Sequence, residues 1–402
     1  MTDYTYVKEF ENLGLGLFVH FGLYSMVGRG EWYLKNCPDA DPAMYNALPE
    51  TFHVRKNWAR ALVATAKRAG AGYINITTRH HDGFSLYDTR GLSDFDAPHS
   101  ACGRDLIAEL TDECHKAGIL PFFYHTLIDW HEPTYQTDFP AYLDYLNRSI
   151  EILCTHYGKI GGFWFDGFWD KPDCDYWQFD RLYGTIRKYQ PTAMIINNTG
   201  LNALGQVSHR EIDSVTFERG KPCFVDNSDR PRAGETCEGM NDHWGYAAND
   251  LRYKSVERLI DTLLVCRENN CNLLLNTGLR GDGTVTPIER EMLTYLGKWI
   301  RQNRAVVYHA HKSDITADNA VILTDGVWYY AVVHDVAMSC DINVARAAER
   351  KHITVHTGQQ IVSATVLDSG EPVCVTRHGF DLTPFAYGNS LYARVVRFRL
   401  QP

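Results

Sequence analysis

At 402 residues, the chain is too long for one small core and suggests two domains, or one large barrel with an appendage. Its 45% hydrophobic content supports a packed interior and, with 22% charged residues, speaks against wholesale disorder. A formal net charge of −9 argues against a nucleic-acid-binding surface and leaves a neutral or small ligand as the easier partner.

The N-terminal MTDYTYVKEFENLG has no basic stretch followed by an apolar one, and no apolar run reaches the ~18–20 residues that span a bilayer. A cytoplasmic protein without a membrane segment is the expectation. The eleven cysteines contain no CxxC pair and no short zinc spacing, so reduced thiols fit better than a disulfide framework or a structural metal.

From residue 15 to about 300, short apolar runs alternate with amphipathic stretches. Leu15–His20 is the first expected strand, followed by a helix over Trp58–Ala69 and a strand over Tyr73–Thr78. Next come a helix at Asp105–Ala117, a strand at Leu120–His125, a helix at Tyr142–Tyr157 and a strand at Gly162–Asp166. A helix at Phe179–Tyr189 and strands at Ala193–Asn197 and Ser214–Phe217 continue the series. A helix at Val256–Asn269 and a strand at Asn272–Asn276 close it, with an eighth strand expected near Thr236–Asn241. Such alternation, with near-continuous apolar strands, predicts a parallel sheet covered on both faces. Eight strands suit a (β/α)8-like barrel, and no GxGxxG follows a strand to favour dinucleotide binding.

The pattern changes after Tyr308. Alternating runs at Ala320–Leu323, Val327–Val333, Ile353–Val355, Ile361–Val366 and Leu391–Leu400, broken by Asp325-Gly326, Ser369-Gly370 and Gly388-Asn389, predict an antiparallel β-sandwich. The expected division is therefore a catalytic barrel over residues 1–308 and a sandwich over 309–402.

Catalytic groups of such barrels lie at the C-terminal strand ends. Those ends carry His20, Arg79-His80-His81-Asp82, Tyr124-His125, Asp166, Asn197-Asn198, Glu218 and Asn276. Two carboxyls are what glycoside hydrolysis usually requires, one to attack or activate water and one to protonate the leaving oxygen. Asp166, after the buried-looking run GGFWF, could do this or cap the next helix. Glu218 could do this or pair with Arg219 in a solvated loop. Adjacent His80 and His81 cannot both chelate one metal from a regular strand, but a turn at the strand end lets both meet neighbouring sugar hydroxyls.

The same residues carry a family resemblance along nearly the whole chain. GLGLFVHFGLYS with Glu31-Trp32-Tyr33, YINITTRHHDGFSLYDT, GRDLIAEL, FWFDG, ETCEGMNDHWGY and CNLLLNTGLRGDGTVTP occur in the order seen in glycoside hydrolase family 29. The chain resembles the α-L-fucosidases of that family. The resemblance implies retaining exo-hydrolysis of terminal α-L-fucosyl residues from fucosylated glycans, without cofactor or metal. Asp166 would be the nucleophile and Glu218 the acid/base, with Glu235 in reserve. His20, Glu31, Trp32, His80, His81, Tyr124, Trp164 and Trp244 would form the fucose pocket, and an apolar patch there would suit the sugar's 6-methyl group.

Three departures stand out. HFG replaces HWG, Gly234 stands where a Trp usually precedes the second Glu, and Asn197-Asn198-Thr199-Gly200 lacks an Arg that some members carry. Arg219 is a candidate substitute for that guanidinium. A retaining glycosidase for α-L-galactosides and a catalytically inactive carbohydrate-binding barrel are the alternative readings. The expected partner is a fucosylated oligosaccharide or glycoconjugate, and a homo-oligomer is compatible with the sequence.

Overall fold

The computed structural model describes residues 3–401 except 202, 224, 226, 337–349, 387, 390 and 391. Two compact units emerge, Met1–Lys254 with Cys271–Thr294, and Ser255–Asn270 with Tyr295–Pro402.

The first unit holds eight parallel strands closed into a barrel: β1 (Leu15–His20), β2 (Tyr73–Arg79), β3 (Leu120–Thr126), β4 (Gly162–Asp166), β5 (Met194–Asn197), β6 (Ser214–Thr216), β7 (Ala233–Gly239) and β8 (Cys271–Gly278). Strand β8 pairs with β1 from Leu15↔Leu273 to His20↔Gly278, which closes the circle. Side chains alternate between the interior and the outer ring. Phe18, Phe122, Tyr124, Trp164, Met194, Ile196, Ala233, Cys237 and Leu274 belong to one buried cluster inside the barrel. On β4 this parity puts Trp164 and Asp166 inward, while Phe163 and Phe165 stack outside with centroids 5.8 Å apart. Glycine at the start of this strand is a packing necessity: a Cβ at Gly162 would lie 2.5 Å from the Met194 carbonyl oxygen.

Helices α1 (Trp58–Ala69), α2 (Leu106–Ala117), α3 (Phe139–His156) and α4 (Phe179–Tyr189) cover this unit's strands. The expected start at Asp105 is one residue early because Asp105 is the cap, its carboxylate accepting from the Ala108 amide. Indole Nε1–H of Trp58 donates to Glu109 across α1 and α2 at 2.8 Å. Among the described residues, the β5–β6 and β6–β7 connections (198–213 and 217–232) carry no helix. The barrel rim is therefore built from irregular chain on that side.

The eighth strand lies slightly earlier than expected, at Ala233–Gly239. AGETCEG has little apolar periodicity, and its strand character comes from pairing with β6 and β8.

In the second unit, α5 (Val256–Glu268) precedes a three-stranded antiparallel sheet, order β10-β13-β15, and a five-stranded one, order β14-β16-β12-β11-β9. The strands are β9 (His311–Lys312), β10 (Thr316–Ala317), β11 (Val321–Thr324), β12 (Tyr329–His334), β13 (Lys351–His356), β14 (Ile361–Val366), β15 (Gly379–Leu382) and β16 (Ala393–Leu400). One core holds both sheets together, with Ile353, Val355 and Phe380 packed with Ile361, Val396 and Phe398. This is the antiparallel sandwich. Strands β9, β10 and β15 have no counterpart among the expected runs, and Leu391 of the expected last run lies outside the described residues. No helix among the described residues is long and apolar enough to cross a membrane.

Candidate active site

A pocket of about 310 Å³ opens at the C-terminal ends of the barrel strands, within the size range of small-ligand sites. Nine residues predicted from sequence line it: His20, Trp32, His80, His81, Tyr124, Trp164, Asp166, Glu218 and Trp244. Phe18, Trp169, Leu201 and Cys237 complete the wall.

Asp166 ends β4 and does not cap a helix; the short 3-10 turn after it is entered from Gly167. Tyr124 Oη–H donates to Asp166 Oδ2 at 3.0 Å, and Asn198 Nδ2–H to Oδ1 at 3.3 Å. The same Asn198 nitrogen donates to Glu218 Oε2 at 2.6 Å. One nitrogen thus bounds these two carboxylate oxygens to within about 6 Å, near the ~5–5.5 Å of retaining glycosidases and below the ~6.5–9.5 Å of inverting ones. The amide is oriented by Thr216, whose hydroxyl donates to Asn198 Oδ1 at 3.0 Å, leaving only N–H to face the acids.

Burial raises the pKa of both carboxyls, and their environments divide them. Asp166 is pushed up by desolvation, but the Gly167 amide, Tyr124, Asn198 and Trp169 all donate to its charged form. Glu218 is pushed up to about 7 by burial first and the charge of Asp166 second, with Asn198 and Arg219 opposing. Near neutral pH, the arrangement favours an ionised Asp166 beside a protonated Glu218.

The histidines are held neutral. Burial takes His20 and His81 down to about 3 and His80 well below its ordinary value. His20 Nδ1 lies 2.6 Å from Asn276 Oδ1; because Asn276 Nδ2–H already donates to the Trp244 carbonyl, Nδ1 carries the proton. His81 Nδ1 lies 2.7 Å from Thr126 Oγ1, whose own hydrogen goes to the Ile128 carbonyl, so Nδ1–H donates there too. Each ring therefore keeps Nε2 as an acceptor. His80 Nδ1 is buried without a hydrogen-bond partner, and its ring stacks on Tyr124 at 5.5 Å. The chain does turn after β2, bringing the His80 and His81 rings to 4.2 Å. No group of three or more His, Cys, Asp or Glu among the described residues is disposed to hold a metal ion.

Two expected residues stand behind the wall. Glu31 accepts the Gly245 amide at 2.6 Å, which ties the EWY segment to the loop carrying Trp244. Glu235 is wholly buried beneath Trp164, accepting from its Nε1–H at 2.8 Å and from the Tyr73 hydroxyl. His125 faces outward from β3 and meets Thr78 Oγ1 at 2.8 Å, so it plays no part in the pocket. Arg219 stands against the pocket wall, and its charge opposes the rise in the Glu218 pKa. Its guanidinium lies 4.5 Å over Trp244 and donates to the Asp242 carbonyl at 3.0 Å. The group that bridges the two carboxylates is Asn198. Strand parity could have found it, since Asn198 is two residues past the interior Ile196, and Thr216 and Glu218 share the corresponding parity on β6.

A barrel with paired carboxyls and sugar-sized aromatic lining at its C-terminal mouth belongs to the glycoside hydrolase class. The α-L-fucosidase family model matches residues 2–305, and the chain belongs to that family. It is 25% identical to a putative α-L-fucosidase of Caenorhabditis elegans over 80% of this chain and 70% of the relative. Among solved structures, α-L-fucosidase isoenzyme 1 from Paenibacillus thiaminolyticus is 27% identical with TM-score 0.85, covering 98% of this chain and 100% of that one. A family 29 α-L-fucosidase from Bacteroides thetaiotaomicron, solved as a trapped covalent intermediate with 2-fluoro-fucosyl fluoride, shares the fold (22% identity, TM-score 0.83, covering 100% and 97%).

Proposed function

We propose that this protein is a retaining exo-α-L-fucosidase that releases terminal α-L-fucose from fucosylated glycans. The observation that carries the reading is the Asn198 bridge, which sets Asp166 and Glu218 side by side in a pocket sized for one sugar. Asp166 attacks the anomeric carbon while Glu218 gives its proton to the glycosidic oxygen, and the aglycone leaves as an alcohol. The β-fucosyl-enzyme is then opened by water, whose proton goes to the Glu218 carboxylate, and Asp166 is released as the anion. A covalent intermediate trapped in the Bacteroides thetaiotaomicron relative supports this route. Neutral His20 and His81, with Nε2 as acceptors, and the unpartnered His80 suit hydroxyl recognition, and Phe18 and Cys237 offer an apolar wall for the 6-methyl group.

Proton NMR of an aryl α-L-fucoside during hydrolysis tests the reading directly. The first-formed sugar is α-L-fucose; first appearance of the β anomer overturns retention, and no turnover overturns the fucosidase assignment. Exhaustive dialysis against EDTA leaves the rate unchanged, and a loss restored by zinc would show that the histidines hold a metal.

Asn198→Ala removes a donor that stabilises the charged form of both acids, so both limbs of the pH–rate profile move to higher pH. The alkaline limb moves further, because Glu218 has the shorter bond. The rate constant falls by about 10–100-fold, the worth of a hydrogen bond to a charged group. Thr216→Val, which unlocks the amide, gives a smaller shift in the same direction.

A further inference from the structure

A second cavity, of about 260 Å³, lies between the start of α1 and α6 (Pro287–Gln302) and shares no lining residue with the sugar pocket. Arg55, Arg68 and Arg290 all line it, and no acidic side chain among the described residues does. In a chain of net charge −9, so concentrated a positive charge in one concavity calls for an anion. We infer that this cavity is a binding site for a tetrahedral oxyanion, a phosphate or sulfate group.

The site is built by two connections that both leave C-terminal strand ends, one running from β1 to α1 and one from β8 to α6. Barrels of this kind frequently bind phosphate on that face, beside the loops after the last strands. Here the two connections are held together by their own backbone. Arg55 N–H donates to the Asp282 carbonyl at 3.1 Å, and Gly283, with φ of +81°, lies so close that a Cβ would be 2.9 Å from Val54 Cγ1. Buried Trp58, Leu62, Thr65 and Gly283 form the floor, while the small side chains of Ala61 and Ala64 leave the space above them open. Asn57, also in the lining, starts α1 without a side-chain cap, so the positive end of the helix adds to the field of the guanidiniums.

The side chains select the class of ligand. Arg55 Nε pairs with Asp282 at 2.8 Å and Arg290 Nε lies 3.9 Å from Glu291, both exposed pairs of small worth. Arg68 Nη2 donates to Thr65 Oγ1 at 3.1 Å, which ties that guanidinium to the cavity floor. Three planar forks match the three or four oxygens of a phosphate or sulfate better than the two of a carboxylate. The volume falls below the ~300–1,000 Å³ of larger ligand sites, which suits a small anionic group and excludes a nucleotide.

Isothermal titration calorimetry at constant ionic strength tests the site with inorganic phosphate, inorganic sulfate and glucose 6-phosphate, sodium chloride serving as the blank. At least one of the three binds wild type saturably below about 10 mM. Arg68→Gln and Arg290→Gln each weaken it about tenfold or more, the scale of a hydrogen bond between charged groups, and Arg68→Lys weakens it less. Saturating L-fucose does not displace the anion, and both Gln variants keep the melting temperature and the aryl α-L-fucoside turnover of wild type. Tighter binding of an inorganic ion identifies the free anion as the occupant, and tighter binding of glucose 6-phosphate identifies an ester. Either result upholds the site. Absence of saturable binding by all three, affinity within twofold of wild type in both Gln variants, or displacement by L-fucose overturns it. The titration needs no turnover, so it decides the site whatever becomes of the fucosidase reading.

Discussion

Asp166→Gly lowers aryl α-L-fucoside turnover by about 10³-fold or more, as removal of a covalent nucleophile does elsewhere, without loss of the fold. Its side chain ends a strand at the pocket, and its partners Tyr124, on β3, and Asn198, directly after β5, are carried by strands already fixed by the barrel core. Sodium azide admitted to the vacated space restores cleavage in part. It attacks from the face Asp166 occupied, so the product is β-L-fucosyl azide. Residual activity above about a tenth of wild type, or an α azide, removes Asp166 from the nucleophile's role. The stability consequence has a definite sign. Folding raises the Glu218 pKa to about 7 and raises that of Asp166, so the stability tied to their protonated forms is present at acid pH and lost as pH rises through the folded values. Glu218→Gln, which cannot ionise, therefore melts higher than wild type at pH 8 by about 1–3 °C, with the difference shrinking toward pH 4.

The barrel was legible because its strands are buried on both faces and bounded by capped helices, a signal that local sequence carries. Trp58–Ala69 ends at Gly70, with φ of +84°, and Phe179–Tyr189 has a sharp apolar stripe; both were expected to the residue. Strand β7 was not so clear, because its inward positions are Ala233, Glu235 and Cys237 and only its neighbours make it a strand. In the site, Asp166 and the histidines could be read from strand ends. Strand parity places Asn198 at the barrel mouth but gives it no role, since its importance lies in meeting Asp166 and Glu218, carried at the ends of two other strands, at once. Trp169 was hidden for a similar reason. It lies three residues past Asp166, and only the turn through Gly167 and the 3-10 segment brings it back over the pocket beside Trp32. Glu31 and Glu235 show the opposite case, in which a residue's neighbourhood in sequence suggests the pocket while its hydrogen bonds hold other residues in place.

Glu218→Ala and Glu235→Ala separate proton donation from support of the pocket floor. A sugar alkoxide departs poorly and needs a proton, whereas 2,4-dinitrophenolate leaves unaided. In Glu218→Ala, cleavage of a fucosylated trisaccharide falls by about 10²–10⁴-fold, the usual worth of general acid–base help. With the activated aryl fucoside, formation of the fucosyl-enzyme is largely spared and its hydrolysis becomes limiting, so a burst of phenolate precedes a slow steady state. Azide speeds that second step and, attacking opposite the Asp166 bond, gives α-L-fucosyl azide, the anomer contrary to that from Asp166→Gly. Wild type loses activity as pH rises through about 7, where Glu218 gives up its proton, and the variant lacks this limb. Glu235 behaves differently because its carboxyl holds Trp164 Nε1–H and the Tyr73 hydroxyl inside the barrel. Its removal leaves two buried donors unsatisfied, at a cost of about 1–3 kcal/mol each, and loosens the indole that floors the pocket. Trisaccharide and aryl fucoside then suffer alike, the melting temperature drops, and the alkaline limb remains. A leaving-group contrast found in Glu235→Ala and absent from Glu218→Ala would transfer the proton to Glu235 and leave Asp166's part in the reaction unchanged.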